Sequence, residues 1–140
     1  MKRLIPLLAA VLLLASCGTP SQSLYSWDNY LSAAYKAYKT DTEEDICNLV
    51  CTLENMTSHP GGTRQVPPPG ICAEYGYLLL QPRTIEAFSA KATPAQKKVF
   101  GDVDFGAVFT EKGKDMLLLE IEYYPESAKF IKPLLSKLVR

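Results

Sequence analysis

The chain has 140 residues, 15 basic against 15 acidic, and 47% of it is hydrophobic. That length suits one domain with a modest core and leaves no room for two, and the balanced charge without a basic patch excludes an electrostatic nucleic-acid binder. No run of 18 apolar residues occurs beyond the first 16, so the bulk of the chain reads as a globular body and not as a membrane span.

The first segment is a targeting signal. Lys2 and Arg3 precede an apolar core from Leu4 to Leu14, and Leu14-Ala15-Ser16-Cys17 closes it. A basic start, an apolar core and small residues before the cut are the marks of a secretory signal, and the core is shorter than the ~20 residues a span needs. The terminal cysteine makes it a lipoprotein signal: residues 1–16 are removed, and Cys17 carries a diacylglyceryl group on its thiol and becomes the new N-terminus, whose amine takes a further chain. One acyl chain holds a protein only reversibly at ~0.8 kcal/mol per methylene, whereas two or three anchor it. Gly18 in place of an aspartate favours the outer membrane, with the domain facing the periplasm or, alternatively, the outside. The competing reading is an ordinary signal peptide that ends near a cysteine. Loss of Lys2 and Arg3 leaves 124 residues with 13 basic against 15 acidic, a net charge of about −2.

Residues 17–23 form a lipidated tether, polar and turn-prone from Gly18 to Ser23, with an extended reach of ~20 Å. A single helical domain, 24–140, follows. Trp27, Tyr30, Leu31, Ala34, Tyr35 and Tyr38 recur at helical period and predict a first helix with that stripe inward. Asp41 or Thr42 caps a second helix, with Glu44 and Asp45 in its first turn and Ile46, Leu49, Val50 and Leu53 on its core face. His59-Pro60-Gly61-Gly62 ends it. After the stiff Val66-Pro67-Pro68-Pro69-Gly70, a third helix carries Ile71, Tyr75, Leu78 and Leu79, and Pro82 stops it.

From Pro82 to Gly106 the pattern weakens. A short helix is expected around Ile85 to Phe88 and another from Thr93-Pro94 to Gly101, with 102–106 read as a loop. A further helix ends at Tyr124-Pro125 with Leu117, Leu118, Ile121 and Tyr124 inward. The last carries Phe130, Ile131, Leu134, Leu135 and Leu138, kinked or restarted at Pro133. No alternation persists long enough for a sheet, so the expected fold is all-α, about six helices in antiparallel hairpins.

Little in this chain spells chemistry. Cys47, Cys51 and Cys72 remain beside the lipid site. Three readings stand for them: small buried hydrophobes, one disulfide from Cys72 to Cys47 or Cys51, or a metal site completed by His59, whose spacing matches no familiar zinc motif. No nucleophile elbow, phosphate loop, H-E-x-x-H or dinucleotide fingerprint occurs, and Glu43-Glu44 and Glu120-Glu122 suit a wet helix face better than a glycosidase pair. The expectation is a non-enzyme with no cofactor and no metal. Tyr25, Trp27 and Tyr30 are the candidate interaction residues, set against the ordinary reading of an aromatic stripe as core. Lys129, Lys132, Lys137 and Arg140 are read as solvated charge near a helix end or as a headgroup or partner contact.

Tyr25-Ser-Trp27-Asp28-Asn-Tyr30, Val66-Pro67-Pro68-Pro69-Gly70 before Tyr75-Gly76-Tyr77, and Tyr124-Pro125-Glu126-Ser127 resemble the small bacterial lipoproteins of the domain of unknown function 4810, over nearly the whole mature chain. The departures are Asp28, where that family has glycine, and three prolines where it has two. The resemblance implies a tetratricopeptide-like fold with an insertion of about 25 residues between Pro82 and Gly106, because Gly76 and Pro125 lie further apart than in a 34-residue repeat. It also implies a role beside a curli-channel-like lipoprotein. The expected function is therefore a protein-interaction accessory of an outer-membrane assembly, bound to the membrane through Cys17 and to a protein partner in the envelope. The alternatives are a carrier or sensor of a small apolar ligand and an envelope enzyme.

Overall fold

Seven α-helices and one turn of 3-10 helix run through residues 22–101 and 103–138, the part that the computed structural model describes, with no strand among those residues. The signal, Cys17 and the tether as far as residue 21 lie outside the described residues.

Helices α1 (Tyr30–Thr40) and α2 (Glu43–Ser58) form the first hairpin. Its two-residue link divides the capping work that the sequence left open. Asp41 closes α1 in the left-handed conformation, its N–H donating to the Ala37 carbonyl, and Thr42 opens α2 by accepting from the Asp45 N–H. Ile46, Leu49, Val50 and Leu53 are buried as expected, joined by Cys47 and Met56. Helix α1 departs from expectation. Its buried residues are Ala33, Ala34 and Ala37, while Leu31, Tyr35 and Tyr38 of the predicted inward stripe are 75%, 62% and 62% exposed. Only small side chains fit where α1 lies against α2, so the bulky ones are turned outward.

The second hairpin pairs α3 (Ile71–Leu79) with α6 (Phe105–Tyr123). Glu120 meets Gly70 and Ala73, Leu117 meets Gly76, and Gly113 meets Leu80, so the two helices run antiparallel. The crossing is close because both sides lack a Cβ: one on Gly76 would stand 2.6 Å from the Gly113 carbonyl oxygen, and one on Gly113 would stand 2.7 Å from Leu80 Cγ. Tyr75 and Leu79 of α3 and Phe109 and Leu117 of α6 are fully buried.

Between these partners lie α4 (Pro82–Lys91) and α5 (Pro94–Phe100). The third helix ends at Leu79, just before Pro82 as expected, and Pro82 itself occupies the first turn of α4, where no N–H is required. Thr93 and Gln96 complete the capping box that opens α5. The stretch expected as a loop is helical from Phe105 onward, because the Asp104 side chain accepts the Gly106 N–H and starts α6 early. Four of the five phenylalanines fasten this pair of helices to α6: Phe88 meets Phe100, Phe105 and Phe109 edge-on at centroid separations of 5.1–5.2 Å.

After the 3-10 turn Pro125–Ser127, α7 (Ala128–Leu138) closes the order, with Pro133 inside it and no division there. Only Ile131 of α7 is buried; Phe130 is 70% exposed, since among the described residues this helix packs mainly on α6 and the 3-10 turn. Leu118 also points outward, 100° round α6 from Leu117, which takes the contact with Gly76. Cys47, Cys51 and Cys72 are free thiols, the first and last fully buried, so neither disulfide pairing is formed.

Candidate interaction surface

The N-terminal arm reaches α1 strapped to the loop between α2 and α3. The Thr63 and Arg64 N–H groups donate to the carbonyls of Ser23 and Leu24 at 3.0 and 3.1 Å. Gly62 admits the strap. At a φ of 78° it has the left-handed backbone that glycine adopts freely, and any Cβ would lie 2.5 Å from the Leu24 carbonyl oxygen. Tyr25 is half-buried, with the Arg64 guanidinium over its ring and donating to its hydroxyl at 2.7 Å. The Tyr25 hydroxyl also sits beside Tyr124, which donates to the Pro67 carbonyl at 2.6 Å; burial first, and then that contact with Tyr25, pushes the Tyr124 hydroxyl up.

Trp27 follows in the turn before α1, 45% exposed and tilted against Tyr30 at 5.8 Å between centroids. Tyr30 and Tyr38, two turns apart, both donate to Glu74 of α3 at 2.6 Å, one to each carboxylate oxygen. Burial and this carboxylate push Tyr30 up to about 12 and raise Tyr38 as well, so both remain neutral donors at physiological pH. Trp27 thus packs on Tyr30 and shares the depression along the arm with Tyr25, and the three differ in how they are held. Tyr25 belongs to the strap, Tyr30 to the clamp on Glu74, and Trp27 alone presents its ring to solvent.

Sequence reasoning missed the site that the clamp creates. Between α1, α3 and α4 lies an apolar cleft of about 210 Å³, floored by Ala37, Ile46, Leu49 and Leu78 and rimmed by Tyr38 and Tyr77. Tyr77 is 47% exposed. An ion pair between Arg83 and Asp41, with Gln81 and Thr84 beside it, closes the polar end. The signal for Tyr77 was its spacing: two residues from buried Tyr75, it stands nearly opposite on the helix. A wider depression of about 930 Å³ lies along the arm at Ser23, Trp27, Gly62 and Gln65, open to solvent and more polar.

The buried charges hold the fold. Glu54 accepts from Lys112 at 2.6 Å, Tyr75 at 2.6 Å and Ser58 at 2.7 Å. Burial pushes its carboxyl up, but these three donors outweigh it and leave the group below the ordinary carboxylate range. Glu120 is 3% exposed, not on a wet face, because its carboxylate accepts the Gly70 and Ala73 N–H groups at the N-terminus of α3; Glu122 is exposed. Burial raises Cys47 and Cys51 to about 11 and Cys72 to about 12, which keeps the thiols protonated and poorly nucleophilic. His59 is exposed. Among the described residues no three or more His, Cys, Asp or Glu side chains gather as a metal site, and no helix is long and apolar enough to cross a membrane. Lys129, Lys132 and Lys137 are exposed on α7, Lys129 over the Phe130 ring at 4.9 Å; Arg140 lies outside the described residues.

A family model described as Domain of unknown function (DUF4810) matches residues 24–99, from the strapped arm almost to the end of α5. The arm motif and the proline turn lie inside that range, and Tyr124-Pro125-Glu126-Ser127 lies beyond it. No curated protein and no solved structure matches the chain.

Proposed function

Starting from the DUF4810 family, to which this chain belongs, we propose that the protein is a lipid-anchored, non-enzymatic interaction accessory of an outer-membrane assembly. Residues 1–16 are its signal and Cys17 its acylated N-terminus, with the domain on the periplasmic face. The partner is a second envelope protein, a curli-channel-like lipoprotein on the strength of the resemblance carried by the arm, proline-turn and Tyr-Pro-Glu-Ser motifs.

The observation that carries the reading is the cleft between Tyr38 and Tyr77. Exposed aromatic rings around an apolar floor, with an arginine at the edge, form the pattern in which protein interfaces concentrate their binding energy. Its volume of about 210 Å³ lies below the ~300 Å³ where small-molecule sites begin, which favours a single inserted side chain over a carried ligand.

A photoreactive aromatic residue in place of Tyr77, in cells, tests this. The expected result is one discrete adduct with another envelope protein, absent when the same residue replaces Lys132 on α7. A protein that forms no adduct from position 77 overturns the partner reading, and intact-mass analysis showing an N-terminus other than acylated Cys17 overturns the anchor.

A further inference from the structure

Resting on the lipidation of Cys17 proposed above, we infer that the arm and the outward face of α1 lie on the bilayer itself, with Trp27, Leu31 and Tyr35 seated at the lipid–water interface. Leu31, Tyr35 and Lys39 recur every four residues and so form one row along α1, and Trp27 stands one step before it in the preceding turn. Leu24, Trp27, Leu31 and Tyr35 are all exposed among the described residues, at 59%, 45%, 75% and 62%.

The length of chain before them identifies what covers them. Six residues, Gly18 to Ser23, separate the acylated cysteine from Leu24, and fully extended they reach ~20 Å. The strap onto Thr63 and Arg64 then fixes the arm to the domain, so these side chains are the first exposed apolar groups that the anchor brings to the membrane. Their chemistry fits that place. Tryptophan and tyrosine favour the interface, where an apolar ring and a polar tip are both satisfied. Helix α1 holds two lysines and no acid: Lys39 donates to the Tyr35 hydroxyl at 2.8 Å with its ammonium over the ring, and Lys36 is exposed beside it. Both suit anionic headgroups. The acids that flank the helix are engaged elsewhere, Asp28 with Ser26 and Asn55 and Asp41 with Arg83. The Tyr38–Tyr77 cleft borders this row at the C-terminal turn of α1, where Tyr38 lies between Tyr35 and Lys39.

Trp27 is the single tryptophan of the chain and reports its own surroundings. The acylated protein is reconstituted in vesicles of phosphatidylethanolamine and phosphatidylglycerol whose chains are brominated near the headgroup or near the terminal methyl. The expected result is a blue-shifted emission quenched by roughly half with shallow bromine and much less with deep bromine, as for a face seated at the headgroup boundary. In L31E/Y35E, both substitutions on exposed positions, the quenching disappears while the protein still floats with the vesicles. An acylated, vesicle-bound protein whose Trp27 stays unquenched overturns this inference and leaves the anchor intact, including the case where a second copy or a protein covers the face. Protein isolated from cell membranes with no acyl chain on Cys17 overturns the anchor instead.

Discussion

The two hairpins are built from the same device, antiparallel helices in close contact, and they place their large residues on opposite sides. In α3–α6 the contact is made by Gly76 against Gly113, and Tyr75, Leu79, Phe109 and Leu117 fill the interior around it. In α1–α2 the contact is made by Ala33, Ala34 and Ala37, and Tyr35 and Tyr38 of α1 stand outside. Helix α3 has neighbours on several sides, namely α2, α4 and α6, whereas α1 packs mainly on α2 and reaches α3 through the clamp on Glu74. A large side chain is interior only where a second neighbour exists to receive it. Among the described residues the outward face of α1 is therefore left uncovered, the surface on which the proposed membrane contact rests, and α3–α6 is the frame that holds it.

The comparison breaks if the frame tolerates damage. Removing the buried carboxylate with Glu54→Ala leaves Lys112 and Tyr75 without their acceptor and should cost about 3 kcal/mol, the lower end for a buried pair because Lys112 keeps some exposure. Denaturant titration measures it. The wild-type contribution is present above the ordinary glutamate pKa of ~4.3 and is lost as pH falls through the lower folded value, so Glu54→Gln should flatten the acid limb of the stability curve. Gly76→Ala comes next. It drives a methyl onto the Gly113 carbonyl and should cost about 2 kcal/mol of unfolding free energy.

The boundary between the regions is the clamp on Glu74. Tyr30→Phe removes one of its two donors and should cost about 1 kcal/mol. Because Tyr30 holds its proton up to about 12 when folded, and to ~10 when unfolded, its contribution is full below pH ~10 and fades as pH rises from there through about 12. The variant should therefore lose less stability than wild type over that alkaline window in a pH series of thermal melts.

The sequence shows the frame more clearly than the surface. The core face of α2 and the capping box of α5 stand out because branched apolar residues and hydroxyl caps have one common use. The α1 stripe misleads because period alone cannot say which face is covered: Ala33 and Ala37, with Ala34 of the predicted stripe itself, make a second face beside the bulky residues, and that small-residue face is the one laid on α2. Pro82 is ambiguous for a similar reason, since a proline that ends one helix also suits the first turn of the next. Glu120 resembles Glu122 in sequence, and only the N-terminus of α3 packed beside it makes it interior. The Tyr38–Tyr77 cleft joins residues from α1, α2, α3 and α4, a juxtaposition that no local pattern contains.

The most direct test is the melting temperature of the double variant Leu31→Ser/Tyr35→Ser, beside wild type. If the bulky face of α1 is outside the core, each change costs no more than ~0.5 kcal/mol, and the pair lowers the melting temperature by about 4 °C or less. A fall of roughly 15 °C or more, the signature of two lost core side chains, would contradict the account.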